Sequence, residues 1–154
     1  MLLNNEDVLT NIFYKDGSLR DIYILNTDKY DWNKFLNLLQ SSQLNLNLLI
    51  DGTEKNDVNL HIDDVINISD EKNALIIIDL NGIKIHCHFF CIEEIELDIN
   101  PKEIVNSYSA NLVFEFMRNI SSKLEKEVFI SPENMSEYRL ITIYPNGTYI
   151  IGQY

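Results

Sequence analysis

The sequence is poor in cysteine, proline and glycine, and these shortages exclude several classes of protein. Its two cysteines, Cys87 and Cys91, are too few for a disulfide framework and fit a reducing compartment. Three prolines and five glycines exclude collagen-like chains and Pro/Gly-rich disordered chains. Because 45% of the residues are hydrophobic and 23% are charged, the 154-residue chain has the composition of a folded protein. We therefore expect one domain spanning residues 1–154.

Basic side chains are also scarce. The chain has 12 Lys and Arg against 24 Asp and Glu, which gives a net charge of −12. A field of this sign repels nucleic acid and anionic membranes and attracts basic proteins. The basic patch with interleaved aromatics that is typical of nucleic-acid binders is missing. The charge therefore predicts a basic protein partner, no nucleic acid and no membrane, although simple solubility would give the same charge.

Signals for export, membrane insertion and known chemistry are missing as well. The first seven residues have neither a basic region nor an apolar stretch, and no window approaches the roughly 18 apolar residues of a membrane span. We therefore expect a cytoplasmic protein. Dinucleotide-binding, P-loop, serine-hydrolase and zinc-protease motifs do not occur. The sequence thus predicts no catalytic residues, no cofactor and no enzyme activity.

The first half of the chain reads as strands around one helix. Val8–Tyr14 and Leu19–Leu25 alternate like two strands, and the turn residues 15–18 between them predict a hairpin. Thr27 or Asp28 could cap the helix that follows, and its apolar residues fall on one face: Trp32, Phe35, Leu36 and Leu39. Leu44–Ile50 is predicted to be a strand. Residues 51–71 are predicted to be a loop with a helical turn near residues 63–66.

The second half gives the strongest pattern in the chain. Ala74–Leu80 and Ile83–Phe90 flank Asn81-Gly82, a pair typical of a tight hairpin turn. A helix is predicted from Asn100 to about Glu125, and Ser107 or Ser109 could cap a second start. Further strands are predicted at Ile95–Ile99, Val128–Ile130, Tyr138–Tyr144 and Thr148–Ile151. This order predicts an α+β fold: a mostly antiparallel sheet built from hairpins, with two main helices packed on one face.

One cluster of chemically capable residues follows from strand alternation. The turn at Asn81-Gly82 and a three-residue loop at residues 91–93 place His86 opposite Asp98, His88 opposite Glu96, and Phe90 opposite Glu94. One face then gathers His86, His88, Glu96 and Asp98, which could bind a divalent metal or act as an acid/base pair. The same arrangement also arises when histidines are simply cross-strand partners of carboxylates. Both interpretations stay open, and no metal is assigned.

The acidic residues give a second candidate site. Glu94, Glu96 and Asp98 alternate along one strand and form a stripe that could pair with Lys or Arg of a basic partner. Asp63 and Asp64 add two carboxylates from the polar segment that precedes Ala74. We predict these five residues as the partner-binding set, with a solvated sheet face as the alternative.

The second half also carries a resemblance. Five segments resemble segments of small acidic bacterial proteins of the immunity-protein type. They are Ile85–Phe90, Glu93–Glu96, Leu97–Pro101, Leu112–Met117 and Ser131–Asn134. Such proteins neutralise a partner toxin, so the resemblance implies a non-enzymatic interaction or inhibitor protein and assigns no residue a role. Two alternatives remain. One is a small metalloprotein or enzyme that uses the histidine cluster, and the other is a structural or assembly subunit.

Overall fold

The computed structural model describes residues 3–55 and 60–153, and this part of the chain forms an α+β fold with one antiparallel sheet. The nine strands of the described residues are β1 (Arg20–Leu25), β2 (Asn45–Ile50), β3 (Thr53–Lys55), β4 (Ala74–Leu80), β5 (Ile83–His88), β6 (Glu94–Ile99), β7 (Val128–Pro132), β8 (Arg139–Ile143) and β9 (Tyr149–Gln153). The helices are α1 (Glu6–Ile12), α2 (Lys29–Ser41), α3 (Ile62–Ser69) and α4 (Ser107–Leu124), with a 3₁₀ turn at Pro101–Glu103. The strand order is β3-β2-β4-β5-β6-β1-β7-β8-β9, and every neighbouring pair is antiparallel. The predicted fold class is therefore confirmed.

The predicted strand at Val8–Tyr14 is wrong, and so is its hairpin with the next strand. Residues 6–12 form α1, which Asn5 caps by accepting a hydrogen bond from the Val8 N–H. Two acidic residues occupy the first turn, where they stabilise the helix dipole. Leu9 and Ile12 are three residues apart and face the core together. The β-branched composition of the segment indicated a strand, but helical spacing and the cap decide its structure.

The two main helices begin at caps that the sequence encodes. Asp28, one of the two predicted caps, starts α2 in a reciprocal capping box with Asp31. The segment after Asn100 is interrupted: the 3₁₀ turn ends at Glu103, and α4 starts afresh at residue 107. The cap of α4 is Asn106, and Ser109 supplies the reciprocal bond, so the predicted second start is real but Asn106 makes it.

The polar segment of residues 51–71 contains more regular structure than predicted. It holds the three-residue strand β3 and the two-turn helix α3, which buries Ile62 and Val65. His61 caps α3 by accepting from the Asp63 N–H at 3.3 Å. Residues 56–59 of the predicted loop lie outside the described residues.

The predicted pairing of the central strands is confirmed. Residue 77 lies opposite His86, and the next strand places Asp98 opposite His86 and Glu96 opposite His88. One detail is wrong: β5 ends at His88, so Phe90 is not paired with Glu94. The Phe90 ring instead stacks on the His88 imidazole, with centroids 4.9 Å apart.

The helices all pack on one side of the sheet. Isoleucine, leucine and valine side chains from alternate strand positions meet the apolar faces of the four helices in one buried cluster. Its largest members on the helices are Trp32, Phe35 and Phe114. No helix in the described residues has the length and apolarity that a membrane crossing requires. The opposite side of the sheet carries none of the described helices, and we call it the open face.

Candidate functional site

The centre of the open face is polar and aromatic. Strand alternation places there the side chains of β5, β6, β1 and β7 that do not enter the helix-side core: His86, His88, Glu94, Glu96, Asp98, Asp21, Tyr23, Phe129 and Ser131. Tyr23 and Phe129 are buried, and their ring centroids are 5.6 Å apart. The open face is therefore built around its own aromatic pair, separate from the main core.

Asp98 is held between the two histidines. His86 Nδ1–H donates to Asp98 Oδ1 at 3.0 Å, and His88 Nε2–H donates to Asp98 Oδ2 at 2.5 Å. The Asp98 side chain is only 12% exposed, whereas the imidazoles of His86 and His88 are 35% and 27% exposed. Both carboxylate oxygens of Asp98 thus face protein donors, and the histidines form the accessible surface above it.

Tyr23 links the remaining two carboxylates of the cluster. Its hydroxyl oxygen lies 3.2 Å from Asp21 Oδ2 and 3.3 Å from Glu96 Oε1, so its single proton is shared between two acceptors. Asp21 Oδ2 also accepts from the Asn134 N–H at 2.8 Å. This bond ties the loop between β7 and β8 to the open face.

The pKa values of the carboxylates Asp21, Glu96 and Asp98 on the open face are shifted in different directions. Burial raises the pKa of Asp21, and burial together with the Asp21 charge raises the pKa of Glu96. Burial alone would raise the pKa of Asp98, but the hydrogen bonds and charges of His88 and His86 outweigh it and hold that pKa below its usual value. The hydrogen bond to Asp98 raises the pKa of His88. Asp98 therefore stays ionised to lower pH than Asp21 or Glu96 does.

The predicted partner-binding residues fall on two different surfaces. Glu94 and Glu96 lie half-buried on the open face, while Asp98 lies beneath the two histidines. Asp63 and Asp64 belong to α3, in the helix layer, and both are exposed. Asp63 Oδ1 accepts from Lys29 Nζ at 2.8 Å. The structure thus groups Glu94, Glu96 and Asp98 and separates them from the α3 pair.

The four candidate metal ligands lie on one face as sequence pairing indicates, but His86 and His88 are directed at Asp98, and Glu96 is directed at the Tyr23 hydroxyl. Among residues 3–55 and 60–153, no group of three or more His, Cys, Asp and Glu side chains has an arrangement suited to hold a metal ion. Cys87 is buried on the helix side, where burial raises the pKa of its thiol, and Cys91 is exposed in the loop. The geometry favours a hydrogen-bonded anchor of two histidines on one carboxylate.

Sequence reasoning missed Asp21 and Tyr23. The sequence shows Asp21 and Tyr23 at alternate positions of one strand. It predicts that this strand, residues 19–25, pairs with residues 8–14, and so it does not place the two side chains next to β6. The observed register places Asp21 opposite Asp98 and Tyr23 opposite Glu96. Like charges directly opposite each other are unfavourable, and here the histidines and the Tyr23 hydroxyl compensate.

Comparison with protein-family models, with curated proteins and with solved structures gave no match. The function is therefore inferred from the residues of the open face.

The His88–Asp98 pair should make stability depend on pH. Because the pKa of His88 is raised in the folded state, its protonation stabilises the fold at pH values below 6.5, the ordinary pKa of histidine. This contribution is lost as the pH rises through the folded-state pKa. Because the pKa of Asp98 is lowered in the folded state, its ionised form stabilises the fold at pH values above 3.8. This contribution is lost as the pH falls through the folded-state pKa. We expect wild type to lose roughly 1–2 kcal/mol more than His88→Gln between pH 6 and 9 in urea unfolding.

The control for this titration is His61→Asn, which removes an exposed histidine outside the cluster and keeps a side-chain acceptor at the α3 cap. It should follow the wild-type profile. Asp21 and Glu96 also have raised pKa values, so their contributions to stability are lost as the pH rises. Both residues are present in wild type and in the two variants, so they do not account for a difference between the profiles. Parallel profiles for wild type and His88→Gln would show that the pair does not control the pH response.

Proposed function

We propose that this chain is a non-enzymatic interaction protein, of immunity or inhibitor type, that binds a basic protein through the open face. The observation that carries the proposal is the open face, on which Glu94 and Glu96 stand half-exposed and the exposed Phe90 ring stacks on His88, the residue opposite Glu96. Aromatic residues are enriched in protein interfaces and polar residues form the rims, which matches an exposed phenylalanine ring on a face with acidic side chains. A face with acidic groups also attracts a basic partner over long range and excludes acidic ones.

Preorganisation supports this role for the open face. Cross-strand bonds fix the side chains around Glu96, since Tyr23 holds its carboxylate and His88 stands opposite it in the ladder. A partner cation that pairs with Glu96 therefore meets a group that has already lost much of its rotamer freedom. The exposed ring of Phe90 stacks on the half-buried His88 imidazole next to this site and offers an apolar contact for the stem of a Lys or Arg.

The alternative function is a small metalloprotein or enzyme that uses His86, His88, Glu96 and Asp98. The two histidines beside two carboxylates motivate it, while their mutual hydrogen bonds argue for the anchor role. Elemental analysis of protein purified without a tag tests the metal part directly. A stoichiometric transition metal that is lost in His86→Ala would replace the interaction proposal with this one.

The interaction proposal predicts a specific effect of charge reversal. Tagged wild type, recovered from its native host, should retain one basic protein at equal stoichiometry and release it between about 0.1 and 0.5 M salt. Glu94→Lys/Glu96→Lys should weaken that binding at least about 100-fold, because each reversal replaces an attraction with a repulsion at the interface. Titration calorimetry with the purified partner measures the loss.

The matched control is Asp63→Lys/Asp64→Lys, which makes the same change of charge on α3. It should leave affinity within about threefold of wild type at 0.15 M salt, where charges far from the interface are screened. Equal losses in both double variants would point to net charge and not to the open face. Failure to recover a stoichiometric basic partner would overturn the proposal.

A further inference from the structure

The two edges of the sheet are built differently. The edge strand β3 has three residues, two of them charged, which is a common way to prevent edge-to-edge pairing. The other edge strand, β9, has the sequence Tyr-Ile-Ile-Gly-Gln and carries no charge. Its side chains at Tyr149, Ile150 and Ile151 are 38%, 41% and 38% exposed. Among the described residues, no strand pairs with the outer side of β9.

The hairpin that leads into β9 determines which backbone groups face outward. The Tyr144 N–H donates to the Thr148 carbonyl at 2.9 Å, which makes residues 144 and 148 a hydrogen-bonded pair. Hydrogen-bonded and non-bonded pairs alternate in an antiparallel ladder, so Ile150 bonds to β8. The N–H and carbonyl groups of Tyr149 and Ile151 therefore point away from the sheet and are available to another strand.

This edge suits pairing with itself. If two β9 strands run antiparallel around a two-fold axis at Ile151, Ile151 meets Ile151 and Tyr149 meets the second copy's Gln153. All five residues of each strand then have partners, and the outward groups at positions 149, 151 and 153 bond in register. Each copy contributes the same apolar surface to the contact.

The distribution of charge favours a second copy over another partner at this edge. From residue 118 to 153 the chain has four basic and four acidic side chains, so the net charge of −12 lies entirely in the residues before Arg118. Neither β9 nor the lining of the groove beside it includes a charged residue, so two copies can approach here without bringing like charges into contact. A basic protein would find no complementary charge here.

An apolar groove beside β9 enlarges the contact. It has a volume of about 670 Å³ and is lined by, among others, Tyr14, Met135, Leu140 and Ile151. Met135 and Tyr14 are 40% and 36% exposed. Main-chain pairing of five residues alone covers less than the roughly 800 Å² per partner of a stable interface, and side chains from the second copy can fill this groove.

We propose that two copies of this chain associate through antiparallel pairing of their β9 strands, which joins their sheets into one. A two-fold axis perpendicular to the sheet places both open faces on the same side of the dimer. This surface is separate from Glu94 and Glu96, so the proposal stands or fails independently of the proposed function.

Sedimentation of the full chain between about 1 and 200 µM tests the proposal. Wild type should reach twice the 18.0 kDa of one chain at the upper end and dissociate on dilution. Ile151→Lys and Ile151→Glu should each stay at 18.0 kDa, because like charges meet at the axis, and an equimolar mixture should recover the dimer. Thr53→Lys, on the β3 edge, should dimerise like wild type.

Hydrogen exchange gives a second readout that does not depend on the folding of variants. Amides of Tyr149 and Ile151 in wild type should exchange at least tenfold more slowly at 200 µM than at 1 µM, whereas that of Thr53 should not change. A wild-type mass of 18.0 kDa at every concentration would overturn the proposal. A dimer without concentration-dependent protection at Tyr149 and Ile151, or one that survives Ile151→Lys, would also overturn it.

Discussion

Arg20→Met is expected to lower the free energy of unfolding by roughly 3–5 kcal/mol, the largest effect of any single substitution proposed for this protein. Arg20 is fully buried on β1, and its guanidinium donates to the carbonyl oxygens of Ile12, Tyr14 and Leu19 at 2.8, 2.6 and 2.8 Å. Methionine fills the space but removes the donors from the Ile12 and Tyr14 carbonyls at the end of α1 and from the Leu19 carbonyl just before β1. Urea unfolding monitored by circular dichroism measures the loss.

Arg20→Lys separates the role of the charge from that of the hydrogen bonds. Lysine keeps the positive charge but has a single nitrogen, which cannot reach the three carbonyls and the Ser18 hydroxyl that Arg20 contacts together. We expect it to recover less than half of the loss. If Arg20→Lys were as stable as wild type, the charge and not the fork of donors would hold α1 against the sheet.

Asp98→Ala is expected to lower the free energy of unfolding by roughly 2–4 kcal/mol at pH 6. The substitution removes the acceptor of two histidines and a side chain that is 12% exposed. Removal of the Asp98 charge opposite Asp21 offsets part of this loss. The pKa of His88, followed by NMR titration, should fall towards its ordinary value of 6.5, a change that a general loss of packing would not produce.

A double-mutant cycle tests whether the histidine and the carboxylate act as a pair. His88→Gln, Asp98→Asn and the double variant should give a coupling energy of roughly 1–2 kcal/mol at pH 6. The same cycle should give less as the pH rises through the folded-state pKa of His88, because the imidazole then loses its charge. A coupling energy independent of pH would contradict an ion pair at this position.

The sequence predicted the central meander well because its information is local. Asn81-Gly82 specifies a two-residue turn, and once the turn is fixed, side-chain alternation determines which residues face each other. His86 and Asp98 were placed together for this reason. The α2 cap was predicted as Thr27 or Asp28 for the same reason, since capping residues directly precede the helix, and Asp28 is the cap.

The parts that sequence did not predict depend on distant contacts. Tyr23 and Asp21 belong to the open face because β1 inserts between β6 and β7, and nothing within 20 residues of them encodes that position. α1 was misread because residues 8–14 also satisfy a strand pattern, with Val8, Thr10 and Ile12 at alternate positions. Its helical form depends on packing against α4 and on the bonds from Arg20.

The position of β1 also has a consequence for folding kinetics. β1 is made early but pairs with β6 and β7, and its Asp21 bonds to a backbone group 113 residues further along the chain. β2 to β6 form one group, in which β2 pairs with both β3 and β4 and hairpins join β4 to β5 and β5 to β6. The hairpins of β7 to β9 form a second group, and β1 joins the two groups. Such long-range closure is slow relative to hairpin formation. During synthesis, β1 and its buried isoleucines must therefore stay unpaired on one side until β7 leaves the ribosome, and this interval is the time of greatest exposure to aggregation.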